Sequence, residues 1–112
     1  MLTPVVSTEV FEAIASGRPV VALESTIFSH LGLPSPYNAE ALDRCTRVLR
    51  DAGVVPAITA VLDGVIRLGL RDDEHQRILG PARKMAERDL AVAVAQRWDV
   101  GATTAQRCVD VY

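Results

Sequence analysis

The chain has 112 residues, enough for one small domain, with 12 basic and 14 acidic side chains and a formal net charge of −2. This near balance argues against a basic nucleic-acid module, a polybasic membrane binder or an acidic disordered arm. Hydrophobic residues make up 49% of the sequence, which favours a packed core, yet no apolar run approaches the roughly 20 residues of a membrane helix. No charged segment followed by an apolar stretch opens the sequence, so we expect a cytoplasmic protein.

Helix and strand patterns alternate along the chain, which is typical of an α/β protein. Ser7 or Thr8 can cap a first helix. Its expected inner face carries three apolar side chains at helical spacing, Val10, Phe11 and Ile14.

The next segments predict a strand, a loop and a longer helix. Residues 19–23 form a continuous apolar run of β-branched character, as in a strand covered on both faces, and the run stops at Glu24. Residues 31–37 are dense in turn-forming side chains and predict a loop. Asn38 is then a good N-cap for a helix that ends at Gly53.

A hairpin is the clearest pattern of the central region. Residues 54–62 predict a strand, and Asp63-Gly64 is the favoured two-residue turn into a returning strand over residues 65–68. Because a hairpin joins antiparallel strands, the sheet is expected to be mixed rather than purely parallel.

The remaining segments are shorter. A helix is predicted to open at residues 72–74 and to end at Gly80, and Lys84 is expected in a connecting segment. Residues 89–97 predict a further helix, with an aspartate as its cap. Residues 101–104 read as a turn that enters another helix.

Glu24 is the most suggestive residue for chemistry. In open α/β sheets, ligands bind beyond the carboxyl ends of the strands, and Glu24 directly follows an apolar strand. The hydroxyl groups of Ser25 and Thr26 come next in the chain. A carboxyl group at this edge is suited to general-acid catalysis, and the ordinary alternative is a solvated glutamate at a strand end.

Four further side chains could take part in binding. His30 could bind an anion or relay a proton, or it could be ordinary polar surface. Lys84, the only lysine, could orient a phosphate, a carbonyl or a carboxylate, or be a solvated charge. Thr103 and Thr104 could offer hydroxyl and N–H groups to an anion, although helix capping explains them equally well.

The other chemically notable residues have simpler explanations. Acidic residues 72–74 are explained by the dipole of the helix they open, Asp63 by its turn, and His75 by a charged surface. Cys45 and Cys108 show no metal-binding or redox spacing, so we expect two buried, reduced thiols. No residue of the chain is predicted to bind a metal ion.

Three stretches together resemble the pseudouridine-5′-phosphate glycosidases, a family also described as indigoidine synthase A-like. The first stretch is ALESTIFSH at residues 22–30, and the second is PAITAVLDG at residues 56–64. The third comprises residues 84–90 and the GATT sequence at residues 101–104. The resemblance runs in the same order over nearly the whole chain.

This resemblance implies a three-layer α/β/α fold in a cytoplasmic, commonly trimeric protein. Such enzymes reversibly cleave the C–C glycosidic bond of pseudouridine 5′-phosphate to give uracil and ribose 5-phosphate, with manganese as the metal. By position in the motifs, Glu24 is the implied proton donor and Lys84 a substrate contact. Thr104 and Ala105 are the other implied substrate-binding positions, of which the second is often valine in the family.

The resemblance also implies that the chain is incomplete. The family's imine-forming lysine and metal-binding aspartate lie in a later portion that has no counterpart here. Residues 1–112 are therefore expected to be the truncated N-terminal part of a single glycosidase-like domain that is inactive alone. The alternative is a non-enzymatic remnant of the family.

Overall fold

The structure, a computed structural model, describes residues 3–103. Four α-helices, six β-strands and two single 3₁₀ turns, at residues 72–74 and 87–89, lie in that range. In chain order, the helices and strands are β1 (Val5–Val6), α1 (Thr8–Ala15), β2 (Val20–Leu23), α2 (Tyr37–Asp51), β3 (Val55–Leu62), β4 (Val65–Leu68), α3 (His75–Leu79), β5 (Arg83–Lys84), α4 (Leu90–Ala95) and β6 (Val100–Ala102). None of these helices is long and apolar enough to span a bilayer.

Strand β3 is the centre of one mixed sheet, in the order β1-β4-β3-β6-β5 with β2 also paired to β3. The first half of β3 pairs with β2 in parallel, and its second half pairs with β4 and β6 in antiparallel fashion. Strands β1 and β5 pair in parallel with β4 and β6. The prediction of a mixed sheet is confirmed.

Helices cover both faces of β3, which is why all eight of its residues are buried. Ile58, Ala60 and Leu62 pack in one apolar cluster with side chains of α2 and α3. The alternate residues Val55 and Ala57 pack against α1, and Val61 packs against α4. Successive side chains of a strand point to opposite faces, so these clusters form the two outer interfaces of a three-layer α/β/α fold, as expected.

Two local predictions are confirmed by the backbone geometry. Asp63 and Gly64, with φ angles of 52° and 77°, form the turn between β3 and β4. Positive φ at both central residues is what a tight hairpin of this twist requires. The Ser7 hydroxyl caps α1 by accepting the Val10 N–H at 3.3 Å.

The burial of three segments differs from the prediction. Helix α1 packs through Val10 and Ala13, whereas Phe11 is 60% exposed and Ile14 44% exposed, because the eight-residue helix meets the sheet along a narrow line. Strand β2 is only partly covered, with Val21 exposed. Cys45 lies on the exposed side of α2, so its predicted burial is wrong, and Cys108 lies outside the described residues.

The largest topological differences are in the second half of the chain. Lys84 belongs to strand β5 rather than a connecting segment, and α4 ends at Ala95. Gly101 belongs to strand β6 rather than a turn before a helix. A Cβ atom at Gly101 would lie 3.1 Å from the Val61 Cβ, so the glycine is explained by the close approach of two strands.

Candidate functional site

Strands β2 and β6 meet end to end beside β3. Because β2 is parallel to β3 and β6 is antiparallel to it, the carboxyl ends of both strands approach the same point. Two hydrogen bonds join them there: the Ser25 N–H donates to the Thr103 carbonyl, and the Thr103 N–H donates to the Ser25 hydroxyl, both at 3.0 Å. Both residues are buried. We call this point the strand junction.

Glu24 lies at the strand junction, directly after β2 and directly before Ser25. It is partly buried, and its carboxylate forms no hydrogen bond or ion pair with another residue of 3–103. Nearby, the Thr26 hydroxyl oxygen is buried and also lacks a hydrogen-bond partner in that range. The Glu24 carboxylate is therefore available to a ligand, whereas the Thr26 hydroxyl, which the sequence analysis noted, is enclosed by the protein.

Lys84 approaches the same junction from the other side of β6. Its Cα pairs with that of Ala102, the residue before Thr103. Lys84 is exposed and, within residues 3–103, its ammonium group has no carboxylate partner. The structure thus brings the main chain at Glu24, Lys84 and Thr103 to one edge of the sheet, while Thr104 and Ala105 lie outside the described residues.

The loop that follows Glu24 is held by Asn38. The Asn38 side-chain amide is buried and donates to the carbonyls of Phe28 and Leu79, both at 2.9 Å. Its predicted role as N-cap is wrong because Pro36 takes that position, which places Asn38 inside the first turn of α2. No local pattern indicates this role, because the two carbonyl partners lie 10 and 41 residues away in the chain.

The loop is also packed on itself. The buried Ser29 hydroxyl donates to the Thr26 carbonyl at 2.8 Å and accepts the Leu31 N–H at 3.2 Å. A Cβ atom at Gly32 would collide with the backbone of Ile27, so this close turn requires glycine. These contacts hold the loop that follows the strand junction in one conformation.

His30 contacts a different part of the molecule. Its Nδ1 atom accepts the Ala82 N–H at 3.1 Å, and the His30 N–H donates to the Gly80 carbonyl at 3.2 Å. The imidazole thereby ties the loop after β2 to the segment before β5. It lines a groove with Arg83 and Trp98.

Several acidic residues outside the junction are paired with arginines, and two of these pairs shift a pKa. Burial opposes ionisation of the Glu74 carboxyl, but the Arg67 guanidinium at 2.7 Å and the Arg71 N–H lower its pKa overall. The two guanidinium hydrogen bonds from Arg77 lower the pKa of Asp63. Structural ion pairing explains both shifts without a ligand.

Manganese, which the resemblance implies, has no ligand set among the described residues. Within residues 3–103, no three His, Cys, Asp or Glu side chains converge as a bound ion would require. The residues at the strand junction therefore do not themselves fit a metal centre.

Sequence comparisons relate most of the chain to one family. Residues 9–109 match the family described as indigoidine synthase A like protein. The chain is 52% identical over 103 residues to a pseudouridine-5′-phosphate glycosidase from Streptomyces griseus, covering 90% of this chain and 31% of that protein. A glycosidase of the same name from Rhodospirillum centenum is 50% identical over 97 residues, covering 86% of this chain and 30% of that protein. The chain spans about a third of the length of these relatives.

Two solved structures share the fold. The prealnumycin C-glycosynthase AlnA, in complex with ribulose 5-phosphate, superposes with a TM-score of 0.76 at 31% identity, covering 99% of this chain and 35% of that one. An indigoidine synthase A-like protein from Thermotoga maritima superposes with a TM-score of 0.73 at 30% identity, covering 85% of this chain and 32% of that one.

Proposed function

The chain belongs to the indigoidine synthase A-like family, and from this membership we propose that it supplies the proton donor of a pseudouridine-5′-phosphate glycosidase site. The reaction is the reversible cleavage of the C–C glycosidic bond to give uracil and ribose 5-phosphate. Two comparisons support this choice: the curated relatives carry that enzyme name, and the C-glycosynthase of the same fold was solved with a sugar phosphate.

The chemistry explains why a free carboxyl group is needed. An ordinary glycosidase protonates a leaving oxygen, but a C–C glycosidic bond has none, so a proton must reach the departing base or the ring oxygen by another route. In our proposal Glu24 is that donor. Its carboxyl group has no partner within residues 3–103, so no internal hydrogen bond must be broken before it acts.

Lys84 has a binding role in this proposal. Its main chain lies beside the junction through the pairing of β5 with β6, and no carboxylate of residues 3–103 neutralises its ammonium group. A free cation at that place can hold a phosphate or a carbonyl oxygen of the substrate. The resemblance also implies that a lysine forms an imine with the sugar during C–C cleavage. Lys84 is the only lysine of the sequence and has the binding role here, so residues 1–112 contain no second lysine for that imine.

The observation that carries the proposal is the pair of hydrogen bonds between Ser25 and Thr103. These bonds join the strand end that bears Glu24 to the strand that aligns Lys84. A second candidate is a catalytically incomplete member of the family. That candidate is favoured by the single lysine and by the match to only about a third of each relative.

Uracil release tests the first candidate. We would assay the chain alone with pseudouridine 5′-phosphate and manganese, and then with residues 3–103 replacing the matching segment of the Streptomyces griseus glycosidase. We expect no release from the chain alone and release from the hybrid. In the hybrid, Glu24→Gln should slow release at least ~100-fold, the usual scale of general-acid catalysis. Glu12→Gln, at an exposed glutamate of α1, is the matched control and should keep the rate.

The outcomes separate the candidates. A folded hybrid in which Glu24→Gln and Glu12→Gln release uracil equally fast contradicts the role of Glu24. Uracil release by the chain alone excludes the incomplete-member candidate. Lys84→Gln in the hybrid should raise KM much more than it lowers kcat, because it removes substrate binding rather than the proton transfer.

A further inference from the structure

The groove that His30 lines has a volume of about 510 Å³ and lies apart from the strand junction. It is formed by the loop after β2, the segment before β5 and the end of α4. Two cationic side chains, an imidazole and an indole line it together with one acid: Arg83, Arg97, His30, Trp98 and Asp99. We call it the arginine groove.

Arg97 adopts a backbone conformation that favours glycine. Helix α4 ends with the Arg97 N–H donating to the Val94 carbonyl at 3.2 Å and the Trp98 N–H donating to the Ala93 carbonyl at 3.0 Å. This closing pattern requires a left-handed residue, and Arg97 has a φ of 52°. An arginine here carries a steric penalty that glycine would avoid, and it adds a guanidinium group to the groove.

The other aromatic and cationic groups are held in place. The Arg83 guanidinium stacks over the Trp98 ring at 3.8 Å from the centroid. The indole N–H in turn donates to the Gln96 side-chain oxygen at 3.1 Å, and the His30 ring accepts the Ala82 N–H. A binding site with such fixed groups loses little conformational entropy when a ligand arrives.

The two groove arginines are not neutralised by carboxylates. Asp99 lines the same groove, yet neither Arg83 nor Arg97 forms an ion pair with any residue of 3–103. Five other arginines in that range do pair with carboxylates: Arg47, Arg50, Arg67, Arg71 and Arg77. The groove therefore has positive charge that its own surroundings leave uncompensated.

We propose that the arginine groove binds a phosphate monoester. Planar guanidinium groups match the geometry of phosphate oxygens and donate two hydrogen bonds at once. The volume of the groove suits a small molecule. The Asp99 carboxylate at the same surface would repel a long polyanion such as a nucleic acid, so a small phosphate ester is favoured. Arg83 stacks on Trp98, and Met85, two residues on, packs in the apolar cluster that contains Trp98, so Lys84 between them points to the opposite face of the sheet. The groove is thus a site separate from that of Lys84.

Trp98 provides the readout because it is the only tryptophan of the chain. We would titrate the 112-residue protein with ribose 5-phosphate, inorganic phosphate and uncharged ribose, following indole fluorescence and the heat of binding. A saturable signal is expected with ribose 5-phosphate and not with ribose. Inorganic phosphate competes if the phosphoryl group alone is recognised, and raising the salt concentration weakens binding.

Variants locate the site. Arg83→Gln and Arg97→Gly should each weaken binding about tenfold, the effect of losing one charge-assisted hydrogen bond. Arg97→Gly should also raise the melting temperature, because it relieves the left-handed backbone, so its lost affinity cannot be ascribed to misfolding. Arg44→Gln, at an exposed arginine of α2 outside the groove, is the matched control and should leave affinity unchanged.

Other results would overturn the proposal. These are no saturable signal at millimolar ribose 5-phosphate, unchanged affinity in both groove variants, or tighter binding of a single-stranded RNA than of the monoester. Loss of the Trp98 response in Lys84→Gln would place the ligand at the strand junction instead. The proposal does not depend on uracil release, since it concerns binding by residues that the glycosidase proposal does not use.

Discussion

Replacing Asn38 tests how the loop beside the candidate site is held. The Asn38 amide donates two hydrogen bonds of 2.9 Å, to a buried carbonyl of Phe28 and a partly buried carbonyl of Leu79. Asn38→Ala removes both donors and leaves two carbonyl groups with reduced access to water. Each lost hydrogen bond costs about 1 kcal/mol, and each buried carbonyl left unsatisfied raises that toward 1–3 kcal/mol. We therefore expect the free energy of unfolding to fall by about 2–4 kcal/mol.

The measurement is a urea titration in which unfolding is monitored by circular dichroism and by Trp98 fluorescence. A loss of that size corresponds to a melting temperature lower by roughly 8–17 °C for a chain of this length. Asn38→Asp keeps the side-chain shape but places a carboxylate against two carbonyl oxygens, so we expect it to be at least as destabilising. Ser35→Ala, at an exposed position of the same loop, is the control and should change stability by less than about 0.5 kcal/mol.

Two results would refute this reasoning. If Asn38→Ala lowers the free energy of unfolding by less than about 1 kcal/mol, the two hydrogen bonds do not hold the loop. If Asn38→Asp is as stable as the unmodified protein, the donors are not what matters. Hydrogen exchange of the amides of Ser29, Gly32 and Leu33 should also become faster in Asn38→Ala, because these amides bond within the loop that Asn38 anchors.

Two further predictions concern a glycine and an ion pair. Gly69→Ala should lower the free energy of unfolding in urea by about 2–4 kcal/mol, because the new Cβ would collide with Ser7 and the backbone φ is 93°. Gly53→Ala is the control: its φ is 77° but the space around it is open, so the loss should be about 1 kcal/mol. Equal losses in the two variants would contradict the collision. The pKa of Glu74 is lowered in the folded state by Arg67, so its contribution to stability is present above the ordinary glutamate pKa and is lost as the pH falls through the lowered value. Glu74→Gln should therefore flatten the decline of unfolding free energy between neutral and acid pH, and an unchanged slope would show that the pair is not coupled to folding.

The position of Glu24 in the candidate site could be predicted from the sequence because it depends only on neighbouring residues. A continuous apolar run predicts β2 without reference to any partner, and Glu24 follows that run directly. The sequence could single out Lys84 as a candidate binding residue, but it could not predict that Lys84 lies in a strand beside β6. Strand β5 has two residues and no period of its own, so it is recognisable as a strand only from its pairing with β6. The proposed roles of Thr104 and Ala105 stay predictions, since these residues lie outside the described part of the chain.

The sequence by itself determined the features that depend on neighbouring residues. The alternation of helix and strand, the Ser7 cap and the Asp63-Gly64 hairpin belong to this class. Tertiary structure alone decided the joining of β2 to β6 through Ser25 and Thr103, residues that are far apart in the chain. Periodicity and turn chemistry act over a few residues and so can be recognised in a single segment. Strand pairing and side-chain burial are set by whichever distant segment supplies the hydrogen-bond partner or the apolar cover, and no local pattern encodes that partner.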